Sequence, residues 1–164
     1  MGAIGWAVVA YAATWLLGMP LTLLHELGHA FTALAVGVRR VTVHVGQPPT
    51  RRWVLGRLEL RLRLLNRPRW AWYGSIETSG EVSAGKAIVA TAAGPFVTAV
   101  VLGCLVVLAA LVPWPPVLVV WVVAAAVAWQ LFVTAVPMRY PRWFGPYAGR
   151  VSDGYRIVRL LRSS

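Results

Sequence analysis

The segment "LTLLHELGHAFT", residues 21–32, places two histidines and a glutamate inside a run of apolar residues. His25, Glu26 and His29 form the pattern HExxH, and residues four apart lie one turn above each other on a helix, so both imidazoles can reach one metal ion. Glu26 lies about 100° around the same helix and can reach a water beside that ion. Ionisable groups at membrane depth are costly and usually mark function, which favours a metal site over polar packing.

The composition predicts an integral membrane protein. Of the 164 residues 59% are hydrophobic and the mean hydropathy is +0.67, so a soluble domain would leave much apolar surface exposed to water. Three apolar stretches, about residues 3–38, 87–112 and 115–137, each exceed the roughly 20 residues that span a bilayer core. The first is longer than one span needs and contains Pro20, which predicts one long helix that is kinked or extends past the membrane.

The basic residues predict the orientation of these spans. All 16 lysines and arginines lie in two segments, ten within 39–86 and six within 139–162, and three spans put both segments on one side. By the positive-inside rule this side is the cytoplasm. The expected location is the plasma (inner) membrane, with the N-terminus outside the cell and the C-terminus in the cytoplasm. The net charge of +11 indicates anionic lipid headgroups as partners rather than nucleic acid, because the arginines flank spans and form no nucleic-acid motif.

An alternating pattern separates the first two spans, in an insert over residues 39–85. "VTVHV" at 41–45, "LELRLRL" at 58–64 and the pair Val54-Leu55 have strand periodicity. They predict a small antiparallel sheet of two to four strands at the cytoplasmic surface, with His44 as an ordinary surface histidine. The predicted fold class is therefore membrane α-helical, a single domain over 1–164 with three transmembrane helices and a small cytoplasmic β-sheet insert.

The C-terminal segment, residues 138–164, contains a predicted amphipathic helix, "SDGYRIVRLLRSS", that starts at Ser152 or Asp153. Its apolar face, directed to the bilayer, carries Ile157, Val158, Leu160 and Leu161.

The lone cysteine and several tryptophans are expected to have structural roles. Cys104 is expected to pack within the second span, since a lone cysteine cannot form an internal disulfide. Tryptophans at predicted membrane boundaries are expected to anchor the protein at the interface, namely Trp70, Trp72, Trp114 and Trp143.

Zinc is the metal that the HExxH pattern favours, because two histidines, a carboxylate and a water form its catalytic coordination. The third protein ligand has to come from four remaining acidic residues. Glu59, Glu77 and Glu81 belong to the basic insert, where pairing with arginines is the default interpretation. Asp153 follows the third span and precedes Gly154, which allows close backbone approach, but it could also cap the C-terminal helix. From the residues alone both roles of Asp153 stay open.

Three further motifs carry a resemblance to a known family. The chain has "HELGHA" at 25–30, "AAGPFVTAV" at 92–100, and "TAVP" at 134–137 followed by "SDG" at 152–154. In this order they resemble the site-2 protease family of intramembrane zinc metalloproteases, and the resemblance covers most of the chain. It implies that zinc is bound by three residues, His25, His29 and Asp153. It further implies that Glu26 is the general base and that a β-rich insert follows the first core helix.

The match to this family has departures that bear on function. Gly94, Pro95, Thr98 and Thr134 are the residues expected to support the site, but the two threonines stand where the family usually has asparagine. The gap between Pro137 and Asp153 is also longer than in the common form, and no PDZ-like module is visible.

The sequence therefore predicts a minimal zinc-dependent intramembrane endopeptidase that cleaves peptide bonds of membrane-protein substrates, held extended by a strand such as 58–64. A catalytically weak or inactive zinc-binding scaffold that recruits a partner protein is the alternative. A zinc transporter ranks lower, since the spans carry no charge outside the HExxH cluster.

Overall fold

Three long helices dominate the structure, a computed structural model that describes residues 2–46, 48–63 and 73–163. They are α1 (Ala3–Ala35), α2 (Ala84–Leu111) and α3 (Val117–Ala135), and each is long and apolar enough to cross a membrane. Helix α1 has 33 residues and includes Pro20, so at 1.5 Å per residue it is about 50 Å long and exceeds a bilayer core. The three predicted apolar stretches are thus confirmed as helices.

A four-stranded sheet connects α1 to α2. Its strands are β1 (Arg40–Val45), β2 (Arg51–Leu55), β3 (Leu58–Leu62) and β4 (Gly74–Ser79), in the spatial order β2-β3-β1-β4. The expectation of a purely antiparallel sheet is wrong, because β1 and β3 pair in parallel. After β1 the chain runs to the outer position as β2 and returns through the turn at Gly56, which brings β3 beside β1 in the same direction.

The sheet differs from its predicted strands in two further ways. β4 was not among the predicted strands, and it forms one edge of the sheet, antiparallel to β1. The described part of the predicted strand 58–64 is β3, an interior strand that pairs with β2 on one side and β1 on the other, so it offers no free edge to a substrate. The predicted strand end at Leu64 and the predicted anchors Trp70 and Trp72 lie outside the described residues.

The core of this layer lies between β1 and the C-terminal half of α1. Val41, Val43 and Val45 are fully buried, as is Ala30 of α1. His44 is only 9% exposed and lies 3.4 Å from an oxygen of Glu77, so the expectation of a surface histidine is wrong. The valine pattern did not reveal this, because the neighbour of His44 in the ladder, β4 with Glu77, was not predicted as a strand.

Residues 138–151, which we call the strap, join α3 to the last helix. A bridge between Arg139 and Val151 closes the strap at its base, and a 3-10 helix, Arg142–Tyr147, forms its tip. Helix α4 (Asp153–Ser163) follows and packs mainly on α2. Its start agrees with the prediction, and Leu161 of its predicted bilayer face is exposed, while Cys104 lies exposed on α2 rather than packed against another helix. The strap thus brings the first residue of α4, Asp153, to the HExxH segment of α1.

Candidate metal centre

Three side chains from opposite ends of the chain converge on one point. His25 and His29 lie one turn apart on α1, are 3% and 4% exposed, and bring their Nε2 atoms to 3.2 Å. Oδ2 of Asp153, at the start of α4, lies 3.3 Å from each of these nitrogens. The group of His25, His29 and Asp153 could therefore hold a metal ion, with each residue offering one ligand atom.

The spacing of the ligand atoms fits a small tetrahedral cation. Zinc bonds nitrogen and carboxylate oxygen at about 2.0–2.1 Å, and two ligand atoms of a tetrahedral site are then about 3.3–3.4 Å apart. The three separations in this group are 3.2, 3.3 and 3.3 Å. Two imidazole nitrogens and a carboxylate oxygen at such distances would repel one another through their lone pairs, so the arrangement requires a proton or a cation between them.

The second nitrogen of each imidazole is held by a partner on α2. Nδ1 of His29 lies 2.9 Å from the carbonyl oxygen of Ala90, to which it donates. Nδ1 of His25 lies 2.7 Å from the hydroxyl of Thr98, and that hydroxyl donates to the carbonyl of Gly94 and so accepts from the imidazole. We assign the proton to Nδ1 in both rings, which leaves both Nε2 lone pairs directed at the metal position.

Glycines allow the backbones to approach closely enough for this geometry. A methyl group at Gly94 would overlap the imidazole of His29, and one at Gly28 would lie 2.8 Å from the carbonyl oxygen of Ala93. At Gly154 a methyl group would collide with the carbonyl of Ala135, so the start of α4 fits against the end of α3 only without a side chain. Asp153 reaches the histidines because of this contact.

Asp153 is not the cap of α4. Ser152 has that role, since its hydroxyl accepts the N–H of Tyr155 at 3.1 Å. The carboxylate of Asp153 instead points at the ring nitrogens of His25 and His29. A metal ligand in this position would have to be ionised.

The other acidic residues of the insert have different surroundings. Hydrogen bonds from Arg52 and then Arg61 lower the pKa of Glu59, whose oxygen lies 2.7 and 2.6 Å from the two guanidinium groups. Glu77 lies beside His44, and the exposed Glu81 belongs to no metal-binding group among the described residues.

Glu26 lies beside the group and faces a cavity of about 490 Å³. It is 6% exposed, and a methyl group at Gly74 of β4 would overlap its carboxylate, so the edge strand runs directly past it. The cavity brings the HExxH residues and Asp153 together with β4, the strap and α3. Peptide-sized molecules entering it would meet both the metal position and a strand edge.

The residues predicted to support the site have unequal positions. Gly94 contacts His29 and Thr98 binds His25, while Pro95 simply follows Gly94 within α2. Thr134 lines the cavity, but its hydroxyl donates to the carbonyls of Gln130 and Leu131 in its own helix.

Sequence reasoning missed Gly74, Tyr147 and Gln130. All three line the cavity, and the buried Oε1 of Gln130 has no hydrogen-bond partner among the described residues. A lone amide within an apolar span was the available signal for Gln130. Gly74 and Tyr147 carry no local signal, because they matter only through contacts between distant segments.

Comparisons of the chain with protein-family models, curated proteins and solved structures found no match. The function of the site is therefore argued from its geometry and chemistry.

Proposed function

We propose that the protein is a zinc-dependent intramembrane endopeptidase that cleaves peptide bonds of membrane-protein substrates. The observation that carries this proposal is the triangle of His25, His29 and Asp153 ligand atoms at 3.2–3.3 Å, with the carboxylate of Glu26 buried beside it in the same cavity. Two histidines and a carboxylate, with room for a water, are the donor set of catalytic zinc in peptidases.

The side chains divide the work of peptide hydrolysis. His25, His29 and Asp153 would hold zinc, which when bound supplies a Lewis acid that polarises a carbonyl and makes water more acidic. Glu26 accepts the proton of the attacking water and passes it to the leaving amine. Thr98 and the carbonyl of Ala90 keep the imidazoles in the orientation and tautomer that this chemistry needs.

The edge strand β4 supplies a surface for an extended substrate. The carbonyls of a helical substrate are shielded in its hydrogen-bond ladder, so the segment to be cut has to unwind and find new partners. Gly74, Ile76 and Thr78 of β4 line the cavity, and their backbone groups can pair with an added strand. This surface takes the role that the sequence had suggested for residues 58–64.

We infer the membrane position of the site from the length of α1. His25 and His29 lie six to ten residues before the end of α1, or roughly 10–15 Å along the axis. We infer that the sheet, strap and α4 lie at the cytoplasmic face with the N-terminus outside, since the basic residues are concentrated there. Water and the cut substrate ends would exchange on this side, and the arginines would meet anionic headgroups.

The Glu26→Gln variant tests the proposed chemistry. The amide preserves shape but cannot accept the proton of water, so we expect zinc content to stay near that of the wild type and hydrolysis to fall roughly a hundredfold or more. Zinc is measured on purified protein, and cleavage by comparing membrane proteomes of cells that express either form. Glu81→Gln, an exposed change with the same chemistry, is the matched control and should cleave normally.

Two outcomes would count against a protease. Equal cleavage by Glu26→Gln and wild type would remove Glu26 from the mechanism. Full zinc occupancy with no substrate accumulating in the Glu26→Gln cells would instead favour the zinc-binding scaffold that recruits a partner.

A further inference from the structure

The hydroxyl of Tyr147, at the tip of the strap, is bonded to the backbone of β4. It accepts the N–H of Gly74 at 2.7 Å and donates to the carbonyl of the same residue at 3.2 Å. A neighbouring strand would make the same pair of bonds, one donated and one accepted, with a single residue of an antiparallel ladder. The phenol oxygen thus makes both hydrogen bonds that an added strand would make through its own N–H and C=O groups.

These bonds lie on the free edge of the sheet. The backbone contacts of β4 with β1 and its flanks involve Tyr73 and Ser79, whose carbonyls accept from Gly46 and Arg39. By the alternation of an antiparallel ladder, the odd-numbered residues of β4 face β1 and the even-numbered residues face outward. Gly74, Ile76 and Thr78 therefore direct their backbone groups to the cavity, and Tyr147 covers the first of them.

The covered position is the one closest to the proposed chemistry. Gly74 is in contact with the carboxylate of Glu26, so a segment that pairs with β4 at this residue passes directly beside the general base. Tyr147 and such a segment cannot use the backbone groups of Gly74 at the same time, because each group is already engaged.

The strap is built to present this tyrosine. The ring of Tyr147 lies 5.2 Å from those of both Tyr73 and Tyr140, and burial, followed by the charge of Glu26, raises its pKa well above the usual value, so the hydroxyl stays protonated. Gly145 and Gly149, both at positive φ, lie on either side of Tyr147 and allow tight turns there.

We propose that Tyr147 gates the site: its hydroxyl occupies the edge of β4 at Gly74, and an extended substrate segment enters by displacing it. This proposal rests on the proposed function for the identity of the incoming segment. The gate keeps the edge strand paired when no substrate is present, which protects an exposed edge from unspecific strand addition. Because a substrate segment has to break the two hydrogen bonds of Tyr147 before it binds, segments that pair weakly with β4 are excluded.

Binding is measured in the Glu26→Gln background, so that no turnover is needed. The probe is a fluorescent, lysine-flanked Leu/Ala peptide long enough to span the bilayer, with a central Gly-Pro pair that permits unwinding. Tyr147→Phe removes the hydroxyl and keeps the ring, and we expect it to tighten peptide binding about tenfold, the effect of no longer breaking the two hydrogen bonds. Tyr140→Phe is the matched control, since it removes a strap hydroxyl bonded to the carbonyl of Val133 and leaves Gly74 covered.

The amide of Gly74 gives a second measurement that needs no peptide. Its hydrogen exchange should be faster in Tyr147→Phe than in the parent protein and unchanged in Tyr140→Phe. Unchanged binding or unchanged exchange in Tyr147→Phe, or equal effects of both variants, would overturn the gate. Failure of the proposed function is separable: absence of cleavage by the wild type with tighter peptide binding by Tyr147→Phe leaves the gate in place and removes the protease.

Discussion

At the scale of single residues, the two histidines of the candidate metal site are oriented by different means. His29 uses the backbone carbonyl of Ala90, which every sequence provides, whereas His25 depends on the side chain of Thr98. The family that the sequence resembles usually has asparagine where this chain has Thr98. A hydroxyl is sufficient here, because the only requirement is to accept one N–H while donating to the carbonyl of Gly94.

Replacing Thr98 with valine should weaken metal binding with little change in packing. Valine matches threonine in shape but cannot accept from Nδ1 of His25, and loss of such an outer partner typically costs 10–100-fold in metal affinity, so we expect a decrease of about that size. Zinc competition with a chelator measures the affinity. Thr134→Val is the control, since its hydroxyl is bonded within its own helix. Equal affinities of the two variants would show that Thr98 does not orient His25.

At the scale of elements, the edge strand β4 is the part of the fold that the sequence concealed. The helices were predictable because their apolar runs are long, and HExxH was predictable because its residues share one helical turn. β4 reads "GSIETS" and combines glycine, serine and a charge, so its strand propensity is low. Pairing with β1 and contact with α1 override that propensity, and these contacts join segments about thirty or more positions apart.

The same limit explains which parts of the site were predicted. His25, Glu26 and His29 needed only local spacing, and Asp153 needed the family resemblance, because nothing local distinguishes a ligand from a helix cap. Gly74 and Tyr147 lie 73 positions apart, and their contact depends on the strap folding back over the sheet. Hydrogen bonds to backbone N–H and C=O groups, such as those of Gly74, cannot be predicted from the order of side chains in the sequence.

Proline substitutions at two neighbouring positions of β4 can distinguish substrate pairing from sheet stability. Thr78 points its N–H toward the cavity, so Thr78→Pro should weaken binding of the transmembrane peptide several-fold while zinc affinity and thermal stability stay near those of the parent. Glu77 points its N–H toward β1, so Glu77→Pro removes a ladder bond and should destabilise the protein by about 1–3 kcal/mol, the cost of leaving the facing carbonyl without its partner. Thermal unfolding and peptide titration measure the two effects. Normal peptide binding by Thr78→Pro would argue that β4 is not the docking strand.

At the scale of the whole molecule, the site exists only when the chain closes on itself. The residues that could hold the metal run from His25 to Asp153, and α1, α2 and α4 all contribute contacts within the candidate site. Metal binding should therefore stabilise the packing of the C-terminal segment on the helices. The cavity is lined by β4, the strap and residues of the three long helices, so the side of the membrane on which the sheet and strap lie affects how a substrate reaches it.

The orientation of the chain is tested by cysteine labelling in a Cys104→Ser background, which removes the native thiol. The turn between α2 and α3 carries no charge and should face outside, while the sheet and α4 carry the arginines and should face the cytoplasm. Trp114, 72% exposed in that turn, and Arg57, exposed between β2 and β3, are suitable sites for single cysteines. A membrane-impermeant maleimide added to intact cells should label Trp114→Cys and spare Arg57→Cys until the membrane is permeabilised. Labelling of Arg57→Cys in intact cells would invert the topology, and the metal centre would then open to the outside, where the proposed substrates would have to be cut near their external ends.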